Sequence, residues 1–250
     1  MASTVGLVDI GDDSHANHVS SCSLACRRLG SRSLVEWVVR RVSEAEQLDN
    51  IAVVACPDAA AAVREFAPPD VAVLAEAGDQ LTRTQAAIDH FQADAIIRVR
   101  IDNPFIDPVF IDRLAAAARR NPDCDFAGFS GKQFGSDATI ALGFTAEWYS
   151  SRAFTRLSQE TDEDARIDPF CYIHSNPEEF QLRWLPIPDA LDRPDLRLRI
   201  DVEEDWDHAQ VIYEALGPDE LDWQGVAGLL DRQPAIRERM ATLNQSRQSA

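Results

Sequence analysis

A three-layer α/β/α domain built on a mostly parallel sheet is the fold expected from this chain. Three observations carry the expectation. Short β-branched runs alternate with amphipathic stretches of helical length through about the first 120 residues. The runs are apolar on both alternate faces, as strands covered on two sides must be. At 250 residues, with 45% hydrophobic and 26% charged side chains, the chain is long enough for one sizeable core.

Thr4 to Ile10, TVGLVDI, reads as a first buried strand, and residues 11 to 30 then lose periodicity in a run rich in Ser, Asp, His and Cys. From Ser33 to Gln47 the pattern is helical, with Leu34, Val35, Val38, Val39 and Val42 on one face. NIAVVAC (Asn50 to Cys56) is a second strand, followed by an alanine-rich helix that should end near Pro68-Pro69. VAVLAE from Val71 is a third strand, Gln80 to Gln92 a helix, AIIRVRI from Ala95 a fourth strand and Pro108 to Arg120 the helix after it. In the second half CDFAGFS (Cys124 to Ser130), FQLRWLPI from Phe180 and LRLRID from Leu196 read as strands. ATIALGFTAEWYS reads as an extended segment or hairpin arm, and Ser151 to Glu160 as a helix. Glu203 to Leu216 is a helix with an acidic first turn, and EEDWD reads as a solvated helix start. A helix pair broken at Pro234 ends in a frayed tail, NQSRQSA. One domain is expected over 1–250, in segments 1–120, 121–216 and 217–250, the last a helical extension.

The charge balance narrows the function. Forty-two acidic against 24 basic residues give a formal charge of −18, a poor surface for gripping nucleic acid. Lys132 is the sole lysine, so any cationic contact to a phosphate falls to arginine or to a metal ion. No apolar run is long enough to span a membrane, no signal sequence is evident, and five scattered cysteines do not resemble a disulfide framework. A cytoplasmic protein is expected. Cys56, Cys124 and Cys171 fall in apolar patterns and read as core, as do Trp37 and Trp148; Trp206 reads as a packing staple.

AIIRVRIDNPFIDP is the stretch most suggestive of chemistry. A buried parallel strand delivers Asp102 at its carboxyl end, where open α/β sheets place their ligands. Alone, Asp102 reads as a cap for the turn before Pro104 rather than as a ligand. A second aspartate, Asp201, ends LRLRI in the same manner. Two carboxylates converging at one sheet edge suit a hard divalent ion bridging nucleotide phosphates. His15, His18, Cys22 and Cys26 invite a zinc reading, but one helix cannot wrap a tetrahedral ion, and loop histidines with free thiols account for them.

IIRVRIDNPFIDPVFID resembles the segment of bacterial cytidylyltransferases, the CMP-sugar synthetase and spore-coat polysaccharide group, that reads roughly VVRITGDCPLIDPEIID. LRLRIDVEEDWDHAQVIYEAL resembles that group's LRLTVDEPEDFELIRAIYEAL without a gap, LGSRSLVEWVVRRV its first helix, and LGFTAEWYSSRAF its Gly-Leu-Asp-Val-Glu-Val-Phe-Ser. The resemblance spans about residues 4 to 216. It implies a nucleotide-diphospho-sugar transferase fold of Rossmann-like type, with Asp102 and Asp201 holding Mg2+ beside a triphosphate. It also implies a nucleotide-binding half (1–120) and a sugar and dimerisation half (121–216), transfer of a cytidylyl group from CTP to a sugar for polysaccharide or glycoconjugate synthesis, and a homodimer. Arg98 and Arg100 are then candidate catalytic, phosphate-contacting residues. Gly11, Ser14, Arg27, Arg28 and Glu147 are candidate substrate contacts.

The departures matter as much. Where the group carries a basic Gln-Ala-Arg loop ending in Pro-Gly-Lys, this chain reads DIGDDSHANHVSSCSLACRRLG, which adds Asp12 and Asp13. Carboxylates there oppose a triphosphate unless a cation intervenes. The threonine and glycine before the first metal aspartate are Arg100 and Ile101, and the Arg-Glu-His-Val-Thr-Pro segment is reduced to DARIDP. The rival expectation is therefore a non-catalytic member that binds a sugar nucleotide or a protein partner on the same scaffold. A glycosyltransferase is a third reading, but its customary Asp-x-Asp is absent beside Asp102.

Overall fold

The computed structural model describes residues 3–11, 19–132, 142–159 and 163–248, with side chains to residue 245. Seven strands form the central sheet: β1 (Thr4–Asp9), β4 (Asn50–Ala55), β5 (Ala72–Ala75), β6 (Ala95–Arg100), β7 (Phe126–Ser130), β8 (Glu147–Ser150) and β9 (Leu182–Pro186). A small antiparallel pair, β2 (Arg28–Leu29) and β3 (Arg32–Ser33), stands apart. The sheet order is β5-β4-β1-β6-β8-β7-β9. All pairings are parallel except those of β8, which runs antiparallel between β6 and β7.

Helices cover both faces, as βαβ crossovers require. The helix α1 (Ser21–Cys26) precedes α2 (Leu34–Ser43), α3 (Pro57–Val63), α4 (Gln80–Phe91) and α5 (Pro108–Arg119). One core layer joins Leu34, Val38 and Val42 of α2 with Phe110 and Leu114 of α5 and with Ile97 and Val99 of β6. The other joins Leu81 and Ile88 of α4 with Phe154, Phe170 and Ile173 against Val5, Leu7 and Ile96. Adjacent residues of β6 thus enter opposite layers, Ala95, Ile97 and Val99 on one side and Ile96 on the other, before Arg98 and Arg100 reach the open edge. Side chains cap the starts of three of these helices: the Ser33 hydroxyl accepts from Glu36 N–H, Asp79 from Thr82 N–H and Asp107 from Val109 N–H.

Four expectations are corrected. LRLRID is not a strand. The place beside β6 is taken by β8, so Leu196–Asp201 crosses the carboxyl end of the sheet, tied by Ile200 N–H to the Asp102 carbonyl at 2.9 Å. Leu196, Leu198 and Ile200 still enter the core. Gly143 makes the crossing possible: at φ +69, a Cβ on it would stand 2.5 Å from the Arg199 backbone nitrogen. The alanine-rich helix stops at Val63, short of Pro68. The final helix runs from Pro234 to Gln248 instead of fraying at 244, and Asn244 donates to the Pro194 and Leu196 carbonyls. Cys171 is exposed and Cys56 half-buried, leaving Cys124 as the buried thiol of the three. Trp37, Trp148 and Trp206 are buried as expected.

A polar knot holds the antiparallel strand. Asp125, 1% exposed, accepts from Gln181 N–H at 3.0 Å and from Arg156 at 2.8 Å and Arg152 at 3.1 Å. Burial pushes its carboxyl up, but the Gln181 N–H and the two guanidiniums outweigh that and hold it below the usual range. A carboxyl depressed in the folded state stabilises above its unfolded value of about 4, and that contribution disappears as pH falls through the lower folded value. Asp125→Asn is therefore expected to lose roughly 2–3 kcal/mol at pH 7, since the arginine partners are half-exposed. In chemical denaturation, its stability should converge on that of the wild type toward pH 3; a pH-independent deficit would refute this account.

Candidate active site

The carboxyl ends of β1 and β6 lie side by side, with Asp9 in register with Arg100. A cleft of about 200 Å³ opens over them. It is bounded by Asp9, Arg98 and Arg100 of the two strands, by Gly11, Ile101 and Asp102 just beyond them, by Ser21 and Gln80 at the starts of α1 and α4, and by Ile167 and Asp168. This is the sheet-edge position that the fold assigns to ligands.

The turn bearing Asp102 is fixed from several sides. Trp37 Nε1 donates to the Pro104 carbonyl at 2.7 Å, Asn103 Nδ2 to the Thr145 carbonyl at 3.2 Å, and Ile101 N–H to the Asp9 carbonyl at 3.1 Å. Asp107 accepts from Trp223 N–H at 2.9 Å, which ties the turn to the C-terminal helices. Asp102 is consequently rigid before any ligand arrives.

The electrostatics of the cleft are those of arginine–carboxylate pairs. Arg100 Nη2 lies 2.7 Å from Asp102 Oδ2, with Nε 3.1 Å from Oδ1. Arg199 Nε lies 3.2 Å from Asp102 Oδ2 and 2.6 Å from Asp201 Oδ1, so one guanidinium bridges the two aspartates. Arg197 joins Asp201 at 3.0 Å to Asp205 at 2.7 Å. Burial drives the Asp102 carboxyl up, but Arg100 and Arg199 prevail and hold it below the ordinary range, and Arg100 is raised chiefly by Asp102. Deeper in the cleft, Arg98 Nε donates to Asp9 Oδ2 at 2.8 Å, Nη1 reaches Glu147 Oε2 at 3.4 Å, and the guanidinium carbon stands 3.8 Å from the centre of the Phe170 ring. Tyr149 Oη and His174 Nε2 are 3.0 Å apart behind Glu147.

Gly11, Arg98, Arg100 and Asp102 line the cleft. Glu147 is buried behind it against Arg98, and Asp201 is buried beside it through Arg199. Arg27 is drawn away: both its terminal nitrogens contact the Glu203 carboxylate, at 2.6 and 2.5 Å, and its guanidinium stands over Trp206. Arg28 is exposed on β2, outside the cleft lining. Ser14, Asp12, Asp13, His15 and His18 lie outside the described residues. Asp9, Gln80 and Asp168 were not anticipated. Asp205 corrects the solvated reading of EEDWD, since it is 3% exposed and accepts from Arg197 and from Asp201 and Val202 N–H.

Asp102 and Asp201 are thus brought to one place, as the resemblance implies, but not as an open ligand pair. A divalent ion needs several hard oxygen donors with net negative charge. Asp102, Asp201 and Asp205 are matched here by Arg100, Arg197 and Arg199, and a cation touching both metal-site candidates would have to displace the bridging guanidinium. Among the described residues no group of three or more His, Cys, Asp or Glu is arranged to hold a metal ion. As arranged, the residues do not fit the ion.

A mostly parallel sheet between two helix layers, with a cleft at the carboxyl edge of its central strands, is the Rossmann-like architecture of the nucleotide-diphospho-sugar transferases. Within it, residues 24–172 match the MobA-like NTP transferase domain, and the chain belongs to that family of nucleotidyltransferases. It is 28% identical over 170 residues to the spore coat polysaccharide biosynthesis protein SpsF of Bacillus subtilis, covering 64% of this chain and 65% of that one. A solved cytidylyltransferase from Leptospira borgpetersenii superposes with a TM-score of 0.77 at 18% identity, over 94% of this chain and 95% of that one. A manganese complex of Rv0371c from Mycobacterium tuberculosis superposes with a TM-score of 0.59 at 15% identity, over 84% and 98%. Among the described residues no helix is long and apolar enough to cross a membrane.

Proposed function

We propose that the protein transfers a nucleotidyl group, cytidylyl from CTP in preference, to a sugar hydroxyl. In the step envisaged, the sugar oxygen forms a bond to the α-phosphorus as the bond from that phosphorus to the bridging oxygen breaks. Pyrophosphate leaves, and the hydroxyl proton passes to water at the mouth of the cleft. Such a reaction asks the protein chiefly for alignment and for positive charge near the phosphates. The observation that supports the reading is the cleft itself, where Arg98 and Arg100 stand together with Gly11 at the carboxyl edge of the sheet.

In this reading Arg100, with its side chain 36% exposed, faces the phosphates, while Arg98 is held against Asp9 and Glu147 and fixes the floor. Glu147 acts on the sugar side only through Arg98, since it is buried. The choice of cytosine and sugar rests on the resemblance to cytidylyltransferases and on the SpsF relative. A homodimer built through residues 121–216 and a cytoplasmic setting belong to the same proposal.

Calorimetry with CTP, UTP, ATP and GTP, each with and without Mg2+, tests it. CTP should bind most tightly. Arg100→Ala should weaken binding about 10- to 100-fold, the loss of one charge-assisted contact of roughly 1.5–3 kcal/mol. If no triphosphate binds under either condition, the reading fails. If CTP binds but no mixture of acidic and neutral sugars draws pyrophosphate from it, the chain is the non-catalytic binder.

A further inference from the structure

The sequence Arg-x-Arg-Ile-Asp occurs twice, as Arg98-Val-Arg100-Ile-Asp102 and Arg197-Leu-Arg199-Ile-Asp201. In an extended chain, residues two apart share a face, so each aspartate is delivered with its own guanidinium beside it. The structure shows both pairs made. Arg100 grips Asp102 through two nitrogens, and Arg199 grips Asp201 while also reaching Asp102 at 3.2 Å. The two segments are stitched together by Ile200 N–H to the Asp102 carbonyl.

We propose that Arg199 and Arg100 do the work of a divalent cation, so that the cleft takes its nucleotide without one. Two guanidiniums carry the formal charge of one divalent ion. Arg199, side chain 7% exposed, stands where a bridging ion would have to be and neutralises the aspartate pair internally. Arg100 is the member of the pair open to the cleft, and its planar fork suits phosphate oxygens. Of the four arginines in the two repeats, Arg197 and Arg199 are buried and not in the cleft wall, whereas Arg98 and Arg100 are part of it. The two copies of the motif divide the labour: the second locks the carboxylates, and the first meets the ligand.

The ligand half of this proposal rests on the nucleotidyltransferase reading, but the metal half does not, and the test separates them. Mn2+ titrated into the nucleotide-free protein and followed by electron paramagnetic resonance should show no site tighter than about millimolar. Replacing each guanidinium by the short hydroxyl of threonine frees the carboxylates, so Arg100→Thr with Arg199→Thr should bind Mn2+ at least tenfold more tightly than wild type. Because the double variant leaves buried aspartates unpaired and is at risk of unfolding, the single variant Arg100→Thr, at the more exposed position, is measured beside it and should gain several-fold. CTP affinity of the wild type should change less than threefold between EDTA and millimolar Mg2+. A micromolar Mn2+ site in the wild type, or nucleotide binding abolished by EDTA, overturns the proposal. Failure of any nucleotide to bind, with Mn2+ still absent from the wild type, removes the nucleotide reading while leaving arginine in place of the ion.

Discussion

Arg197→Ala is expected to be the most destabilising single substitution at the second motif, at about 3–5 kcal/mol. The side chain is 6% exposed and forms the junction between two buried carboxylates, Asp201 at 3.0 Å and Asp205 at 2.7 Å. Truncation leaves both acids in a poorly hydrated site with one partner fewer. Asp205 cannot simply turn to water, because it also accepts from the backbone N–H groups of Asp201 and Val202 and so shapes the start of the helix Glu203–Leu216. For a chain of this size the loss corresponds to a fall in Tm of roughly 10 °C. The penalty lies in the uncompensated charge rather than in any net gain from the pairs, so a neutral replacement of the whole cluster should behave differently. Arg197→Met combined with Asp201→Asn and Asp205→Asn should recover more than half of the loss. Urea denaturation at pH 7 decides it: a cost below about 1 kcal/mol for Arg197→Ala would show that the network is wet and weak.

What was legible in the sequence follows from how local each cause is. The strands through β6 are readable because a strand covered on two faces is apolar wherever it meets the core layers, as Ile96, Ile97 and Val99 do, and only Arg98 and Arg100 at the cleft break the run. LRLRID misleads because its alternating leucines and arginines satisfy the pattern of a strand. Whether such a segment joins a sheet depends on whether an edge is free, and here β8, arriving from residues 147–150, has already taken the place. The aspartate pair was readable from two like segments, and so in principle was its neutralisation, since both arginines sit two residues before their aspartates. The spacing alone does not reveal that Arg199 crosses to Asp102 as well; that contact needs the crossing segment that Gly143 admits. Asp9 and Gln80 were beyond reach. Their roles come from β1 lying beside β6 and from Arg83 Nη2 donating to Gln80 Oε1 at 2.9 Å, so that Gln80 Nε2 turns toward Asp9 at 3.4 Å.

Arg98→Met should weaken the fold strongly, and Arg98→Lys should show how much of that loss is charge and how much is geometry. In the wild type the guanidinium lies between Asp9 and Glu147, each with a side chain 6% exposed, and packs on Phe170. Methionine fills much of the volume but leaves two buried carboxylates without their cation, at a cost of about 3–5 kcal/mol at pH 7. Arg98→Lys keeps the charge but not the fork or the flat stacking surface, so it should recover only part of the stability. Urea denaturation of the three proteins at pH 7 measures this, and a cost below about 1 kcal/mol for Arg98→Met would mean that Asp9 and Glu147 find other partners when the arginine is gone.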